Sequence, residues 1–401
     1  MFTLGKGLNK SLLILLVALL SVFSVEPALK GLISIDSTTT ILTDPGNLST
    51  NDPLGSALYA AVLREAEHIR KSVTADGATN MVPIIGPKQD ACIRPYFAAY
   101  ASIGLDVAAL LVKGRDLRTA LEYLRLSEHF YSWYATHMNP DGSIDDHTKG
   151  TVSNPESCGE ADSEDGYAGI FLHGAYVHYK ATQAIDQIGA DKFLRTMEPY
   201  LRRAAGLIIT LQKPDGLTIA KKNYAIQYLM DNLEAYAGLN AVRQLGLPGF
   251  EQHAERVATA INRYLWLEEG HYAWGRDPQN GMTFAGWNNW YPDKLANAWA
   301  TYFNFIEVQK KTMIYRSLRQ EFPDPESAFS RLGSEVIYLA MAALAQRDMQ
   351  AAESYLREVL KHQDPQGGFL DWYGYTHLSG WFIVSAASYL AWNELATVFL
   401  V

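Results

Sequence analysis

The feature that most constrains the fold of this chain is a recurrence of helical patterns separated by glycine turns. From Ser56 onward one helical pattern follows another, with very little that resembles a β-strand. Glycine adopts the left-handed backbone conformation that closes a helix, so each turn marks the end of one helix. Such turns surround Gly77, Gly142, Gly216, Gly270 and Gly367. The widest gap, after Gly270, leaves room for a further unit around FPDPESAF at 322–329, which makes six units.

Each unit is predicted to be a pair of helices. The first helix of each pair carries charges on one side, and these helices are predicted over 56–73, 116–138, 190–212, 249–267, 309–321 and 348–363. Several of the second helices are apolar nearly all round, as buried helices are; they are predicted over 90–112, 165–184, 224–245, 292–308, 328–346 and 377–395. Six outer and six inner helices in strict alternation predict an all-α (α/α)6 toroid. An open α-solenoid is the competing prediction, although its repeats are shorter and more uniform.

The segment before the helical units is predicted to direct export. Lys6 and Lys10 precede the apolar run Ser11–Phe23, which is the layout of a signal peptide in residues 1–24. The run is short for a membrane span and no A-x-A cleavage site follows it, so an N-terminal anchor remains an alternative. Residues 25–55 are rich in Ser, Thr, Pro and Gly and are predicted to be a linker or surface strap before a catalytic domain at 56–401.

Composition restricts the partners. The formal net charge is −9 and there is no long basic run, which argues against nucleic acid and anionic membrane surfaces. Membrane anchoring is therefore expected only through residues 11–23. The two cysteines, Cys92 and Cys158, form either one disulfide or two free thiols. No histidine set with metal-ligand spacing and no glycine-rich phosphate loop is present, so we expect neither a metal nor a cofactor.

The densest acidic motif opens the second predicted inner helix. Asp162, Glu164 and Asp165 lie within six residues of Tyr167, which is expected to be exposed. Ser163 or Asp162 is a suitable N-cap, and the positive end of the helix dipole favours ionised carboxylates there. Taken alone, the motif is also what a well-capped helix requires.

The stretch ADSEDGYAG at 161–169, the Pro-Asp-Gly turns and the alternating helices resemble the six-hairpin glycosidase superfamily over residues 56–397. The acidic stretch is loosely similar to the signature of family 8 glycosidases, although Asp162 and Asp165 are spaced differently. The resemblance implies an (α/α)6 barrel with a sugar cleft where the outer-to-inner connections converge. Proteins similar to this superfamily include lyases, epimerases and unsaturated glucuronyl hydrolases, so the fold alone does not define the function.

Glycoside hydrolysis requires one carboxyl group that is protonated and one that is ionised. Asp165 is predicted to be the base or nucleophile, because the start of a helix favours its charged form. Asp231 lies one turn inside a helix rich in Tyr, Leu and Met, where burial raises the pKa of an acid, and Glu234 is its alternative. Asp162 completes the catalytic candidates. A buried network that braces neighbouring helices is the competing interpretation of Asp231 and Glu234.

The segment FAGWNNWYPDK at 284–294 is predicted to be a sugar platform, because indole rings stack on sugar C–H faces and amides bond hydroxyls. DWYGY at 371–375 repeats that chemistry, and packing of both loops over the barrel end is the alternative. The predicted substrate-binding residues are Asp90, Arg94, Tyr167, Tyr228, Trp287, Asn288, Trp290, Trp372 and Tyr373.

These residues together predict an exported glycoside hydrolase that acts on a poly- or oligosaccharide. A polysaccharide lyase or unsaturated-uronyl hydrolase is the second hypothesis, in which Arg94 or Arg331 binds an anionic sugar. The third is a non-catalytic saccharide-binding protein of an envelope polysaccharide system. Carbohydrate is the expected partner in all three.

Overall fold

The computed structural model describes residues 52–81, 93–147, 157–159, 161–369, 371 and 374–391, all within one compact unit. The predicted signal segment lies outside the described residues, as do Asp90, Trp372 and Tyr373. Cys92 and the side chain of Cys158 also lie outside them, so the disulfide remains a prediction. The first helix begins at Pro53, and the predicted boundary between strap and domain at 55/56 therefore falls inside it.

The described chain forms six successive helix pairs, each an outer helix followed by an inner one. The first three pairs are α1 (Pro53–Arg70) with α2 (Pro95–Val112), α3 (Leu117–His137) with α4 (Glu164–Gln183), and α5 (Gln187–Leu211) with α6 (Leu229–Gln244). The fourth is α7 (Glu251–Tyr264) with α8 (Leu295–Ala300), which a π-helical turn at Trp290–Lys294 precedes. In the fifth, α9 (Val308–Glu321) is followed by α10 (Pro325–Leu332), a 3-10 turn at Gly333–Glu335 and α11 (Val336–Ala345). The sixth is α12 (Met349–Leu360) with α13 (Thr376–Leu390).

The inner helices form a closed ring. Each of α2, α4, α6, α8, α11 and α13 packs against the next, and α13 packs back onto both α2 and α1. Closure distinguishes the predicted toroid from an open solenoid, and the toroid is confirmed. Two segments of the described chain, Pro95–Val112 and Pro325–Ala345, are long and apolar enough to cross a membrane, and both are mostly buried inside the toroid. Burial in the ring accounts for their apolar composition.

Aspartate caps begin several outer helices. The side chains of Asp52, Asp116, Asp186 and Asp348 accept hydrogen bonds from first-turn backbone N–H groups of α1, α3, α5 and α12. Such caps satisfy donors that a helix start leaves without partners.

The glycine turns place each unit against the next. All five predicted turn glycines have positive φ angles between 89° and 100°. A Cβ on Gly77 would lie 2.4 Å from the carbonyl oxygen of His129 on α3, and one on Gly367 would lie 2.5 Å from that of Arg64 on α1. Glycine is therefore required both by the backbone conformation and by close packing on the following outer helix.

The structure differs from the predicted helix limits in several places. The first inner helix begins at Pro95 rather than 90, and the sixth ends at Leu390 rather than 395. The third inner helix begins at Leu229 rather than 224, because Gln227–Tyr228 (β3) pairs with Gly275–Asp277 (β4), and β4 pairs with Met282–Phe284 (β5). The fourth inner helix ends at Ala300 rather than 308. The helix predicted over 328–346 is divided at Gly333, whose φ is 60°. The remaining strands, Asp146–His147 (β1) and Ser157–Gly159 (β2), form a ribbon before α4.

Candidate active site

The first turns of the inner helices meet at one end of the toroid, which we call the mouth. Tyr96 of α2 stacks on Tyr167 of α4 with ring centroids 5.4 Å apart, and Phe97 of α2 stacks on His377 of α13 at 4.3 Å. Side chains contributed by separate units therefore share one small volume. The positive ends of several helix dipoles meet in the same place.

Three carboxylates surround Gly166 in the first turn of α4. If Gly166 carried a Cβ, Glu234 Oε2 would lie 2.8 Å and Asp231 Oδ1 3.4 Å from it. The backbone N–H of Gly166 donates to Asp165 Oδ1 at 2.9 Å. The structure thus brings together Asp165, Asp231 and Glu234, three of the four catalytic candidates. The absence of a side chain at Gly166 is what permits this approach.

Asp165 is fully buried and fully hydrogen-bonded. Its Oδ1 accepts from the Ser163 hydroxyl at 2.8 Å as well as from Gly166, and its Oδ2 accepts from the Thr218 hydroxyl at 2.5 Å. Burial raises the pKa of Asp165 to about 6, and these hydrogen bonds oppose the rise. The dipole of α4 favours the ionised form of Asp165 unless burial opposes it. In the structure burial acts against the charged form, and no part of Asp165 is exposed.

Asp231 is the member of the cluster that reaches the surface. It is half-buried, whereas Asp165 and Glu234 are buried. Its Oδ2 has no hydrogen-bond partner among the described residues. Burial, followed by the charge of Asp165, raises the pKa of Asp231 well above its ordinary value, which favours the protonated form. This is the environment predicted for the acid.

Glu234 lies deeper, on the same side of α6. Its Oε1 accepts hydrogen bonds from Tyr96 at 2.7 Å and Tyr100 at 2.5 Å, while Oε2 has no partner among the described residues. Burial, followed by the charge of Asp231, raises the pKa of Glu234 well above its ordinary value. Two tyrosine donors on one carboxyl oxygen fix the orientation of the group. These two tyrosines are not among the predicted site residues, although PYFAAY places them four residues apart on one helix face.

Beside Glu234 the toroid contains a cavity of about 70 Å³. All six inner helices contribute to its wall, which is mostly apolar and includes Trp299, Trp381 and His173. Burial lowers the pKa of His173 to about 4, so the ring is neutral at physiological pH. The carboxyl of Glu234 therefore separates an apolar interior from the mouth.

A second group of polar residues lines the mouth beside α4. Tyr167 was expected to be exposed but is buried, because its hydroxyl donates to Asp146 Oδ1 at 2.9 Å. Arg94, which is predicted to bind the sugar, has its Nε 3.5 Å from Asp146 Oδ2. A carboxylate of the protein therefore already balances the charge of Arg94. Burial raises the pKa of Asp146 to about 6. Asp162, the fourth catalytic candidate, is exposed to solvent.

The side chain of Asp293 holds the backbone of the predicted Trp-Asn-Asn-Trp platform in place. Asp293 Oδ2 accepts from the backbone N–H groups of Asn288 and Asn289, each at 3.0 Å. Trp287 packs against the ring of His271 at 5.0 Å, and the edge of Trp290 packs on Phe322 at 5.7 Å. Both indoles are half-buried, so this loop uses them largely for packing, while the Asn288 side chain is exposed.

Tyr228, also predicted to bind sugar, belongs to a row of stacked rings on the small sheet. Its ring lies 6.0 Å from Trp274, which lies 4.6 Å from Phe284. Its hydroxyl contacts the hydroxyl of Tyr224 at 3.0 Å. The row borders the mouth on the Asp231 side, because Tyr228 immediately precedes α6.

Glu335 is a further perturbed carboxyl at the mouth. Burial raises the pKa of Glu335 to about 7, whereas the adjacent Trp290 indole lowers it. Within the described residues no group of three or more His, Cys, Asp and Glu side chains is arranged to hold a metal ion.

No protein family model matches this sequence, and no curated protein matches it. Solved structures do match. A wild-type glycosidase aligns with a TM-score of 0.58 at 11% identity, covering 85% of this chain and 97% of that one. The chain has the (α/α)6-toroid fold of these solved structures.

Other proteins with this toroid fold align equally far along the chain. An unsaturated glucuronyl hydrolase specific for heparin gives a TM-score of 0.52 at 12% identity, over 85% of this chain and 97% of that one. A rhamnosidase from Klebsiella oxytoca with rhamnose bound gives 0.52 at 14% identity, over 86% of this chain and 65% of that one. At these identities the toroid fold is what is shared. The fold does not define the chemistry, which depends on the side chains at the mouth.

Proposed function

We propose that this protein is a glycoside hydrolase whose active site is the mouth of the toroid. The observation that carries the proposal is the convergence of three carboxylates at Gly166, of which Asp231 is the least buried and has an Oδ2 without a hydrogen-bond partner among the described residues. Buried carboxylates crowded together destabilise a fold, and such crowding is typical of functional sites. The glycosidases among the solved structures support the same reaction class.

In this proposal Asp231 is the general acid. Burial and the nearby charge of Asp165 favour its protonated form, so it can donate a proton to the oxygen of the departing sugar. Asp162 is exposed at the same mouth and, when ionised, can accept a proton from the attacking water. Asp165 and Glu234 do not reach the surface and act as positioning residues that maintain the electrostatic environment of Asp231.

The second hypothesis, action on an anionic sugar, receives less support from the charges. Arg94 lies beside Asp146, and Arg331 is paired with Glu321 at 2.8 Å. The charge of each arginine predicted to bind a uronate is therefore balanced within the protein. Carboxylates, rather than free cations, dominate the described part of the mouth.

The test is reducing-end release from a panel of neutral and acidic polysaccharides by the full chain and by Asp231→Asn. Removal of a general acid lowers rates by about 10²- to 10⁴-fold, and we expect kcat/KM of Asp231→Asn to fall within that range while binding persists. Asp191→Asn, on outer helix α5, is the matched control and should retain wild-type rates. Ultraviolet absorbance of an unsaturated uronate in the products would indicate a lyase instead.

The outcome that contradicts the proposal is equally definite. If the folded wild-type chain binds polysaccharide but releases no reducing ends, the protein is a saccharide-binding protein. If Asp231→Asn retains more than a tenth of the wild-type rate, another group donates the proton.

A further inference from the structure

Two tyrosines at the mouth are exposed to solvent. In the described part of the chain, Tyr291 at 68% and Tyr224 at 44% are the aromatic side chains exposed by more than a third. The many other described aromatic rings are packed at least partly into the protein. Exposed apolar groups that form one patch, rather than single exposed residues, indicate a binding surface.

Both tyrosines lie in segments that border the mouth. Tyr291 follows Trp290 in the loop that Asp293 holds, and partial desolvation, followed by the charges of Asp231, Asp162 and Glu234, raises the pKa of its hydroxyl. Tyr224 reaches the same place through its hydroxyl contact with Tyr228, which precedes α6. Two separate segments of the chain therefore present rings beside Asp231.

The faces of these rings are available to a ligand. No aromatic ring of the described residues stacks on Tyr291, and Tyr224 is covered on one side by Tyr228, with centroids 6.4 Å apart. By contrast, the predicted platform rings Trp287 and Trp290 are occupied by His271 and Phe322. Each indole ring therefore has an aromatic packing partner, whereas Tyr224 and Tyr291 each keep at least one ring face without one.

We propose that Tyr224 and Tyr291 form a sugar-binding subsite beside Asp231 that takes an uncharged pyranose unit. The inference rests on the proposed function, since it names the substrate class for the same mouth. Aromatic faces pack against the C–H face of a pyranose, and the hydroxyls of Tyr224 and Tyr291 can bond the ring substituents. A uronate is disfavoured, because the exposed Asp162 lies at the same mouth and the charge of Arg94 is balanced by Asp146.

The test compares KM, kcat and binding for Tyr291→Ala, Tyr224→Ala and Tyr291→Phe in the full chain. Stacking contributes about 0.5–1.5 kcal/mol, so each alanine variant should raise KM about three- to tenfold and leave kcat within about twofold. Tyr291→Phe keeps the ring but loses the hydroxyl, so it should raise KM less than Tyr291→Ala does. Leu121→Ala, an exposed apolar residue on outer helix α3, is the matched control. The thermal midpoints of all four variants should be close to that of wild type, which separates recognition from folding.

Binding is measured independently by the retardation of each variant during electrophoresis through gels that contain a neutral glucan or a polyuronate. We expect the neutral glucan to retard wild type more than Tyr291→Ala, and the polyuronate to retard neither. Unchanged KM and retardation in both alanine variants would overturn the subsite, as would failure of wild type to bind any polysaccharide. Stronger retardation by the polyuronate would overturn the substrate class. Retardation that depends on Tyr291 without any hydrolysis would leave the subsite standing and refute the proposed activity.

Discussion

At the scale of single residues, Glu234 shows how a buried carboxyl links stability to pH. Burial and the charge of Asp231 raise its pKa well above the ordinary value. The folded state therefore holds the proton more tightly than the unfolded chain does. Stability from such a group is present at low pH and is lost as pH rises through the folded pKa. Asp165, with a pKa of about 6, acts in the same direction between about pH 4 and pH 6.

We accordingly expect the free energy of unfolding of wild type to fall as pH rises from 5 to 8. Glu234→Gln removes one titrating group but keeps an oxygen that accepts from Tyr96 and Tyr100. Its stability should therefore fall less than that of wild type over that range, so that the difference between the two proteins shifts in favour of Glu234→Gln as pH rises. Urea unfolding at each pH measures both proteins. A parallel pH profile in the two would show that Glu234 does not titrate in this range.

Single residues also show which parts of the candidate site could be predicted from the sequence and which could not. Asp162, Asp165 and Asp231 could be placed at the mouth because each lies at or near the start of a predicted inner helix. The inward turn of Tyr167 could not be predicted, because it depends on Asp146, which a short strand brings opposite. The exposure of Tyr291 likewise depends on how Asp293 folds its loop back on itself.

At the scale of elements, the glycine turns are fitted to their neighbours. Gly142 has a φ of 94°, and a Cβ there would lie 2.6 Å from the carbonyl oxygen of Arg203 on α5. We expect Gly142→Ala to lower the free energy of unfolding by about 2–3 kcal/mol, from backbone strain and the close contact.

Gly206 in the middle of α5 is the matched control, because a Cβ there meets no atom within 4 Å. Gly206→Ala should raise stability by about 0.5–1 kcal/mol, the ordinary gain of alanine over glycine within a helix. Chemical denaturation measures both variants. Equal effects at the two positions would show that the turn conformation does not require glycine.

The element scale is also where the sequence was most informative. Several inner helices are apolar on all sides because other helices enclose them, and for these, as in Val336–Ala345, composition indicated burial. The break before α11 escaped prediction, because a single positive φ at Gly333 interrupts an otherwise continuous helical pattern. Such a break depends on local backbone geometry, which apolar periodicity does not report.

At the scale of the whole molecule, hydrogen bonds to Glu65 connect the first helix pair to the last and stabilise the closed ring. This fully buried carboxylate on α1 accepts hydrogen bonds from the backbone N–H of Gly368, from Gln363 Nε2 and from the hydroxyl of Ser379 on α13. One side chain of the first unit thereby satisfies donors of the last. Packing of α13 on α1 and α2 surrounds this junction.

We expect Glu65→Gln to cost about 2–3 kcal/mol, because the amide group it introduces faces donors and leaves at least one of them without a buried acceptor. Glu67→Gln, two residues away in an exposed pair with Arg70, should change stability by less than about 1 kcal/mol. The measurement is the denaturation midpoint of each variant. Similar small shifts for both would mean that ring closure does not depend on Glu65.

Closure by Glu65 also determines when during biosynthesis the first helix can finish folding. Gly368 and Ser379 follow Glu65 by 303 and 314 residues along the chain. At synthesis rates of about 5–20 residues per second, α1 waits roughly 15–60 s for these partners. Until the last unit emerges from the ribosome, the inward face of α1 and a buried carboxylate lack their final contacts. A nascent toroid of five units is therefore an open chain in need of protection, and a chain interrupted before Gly368 never acquires the contact that closes the ring.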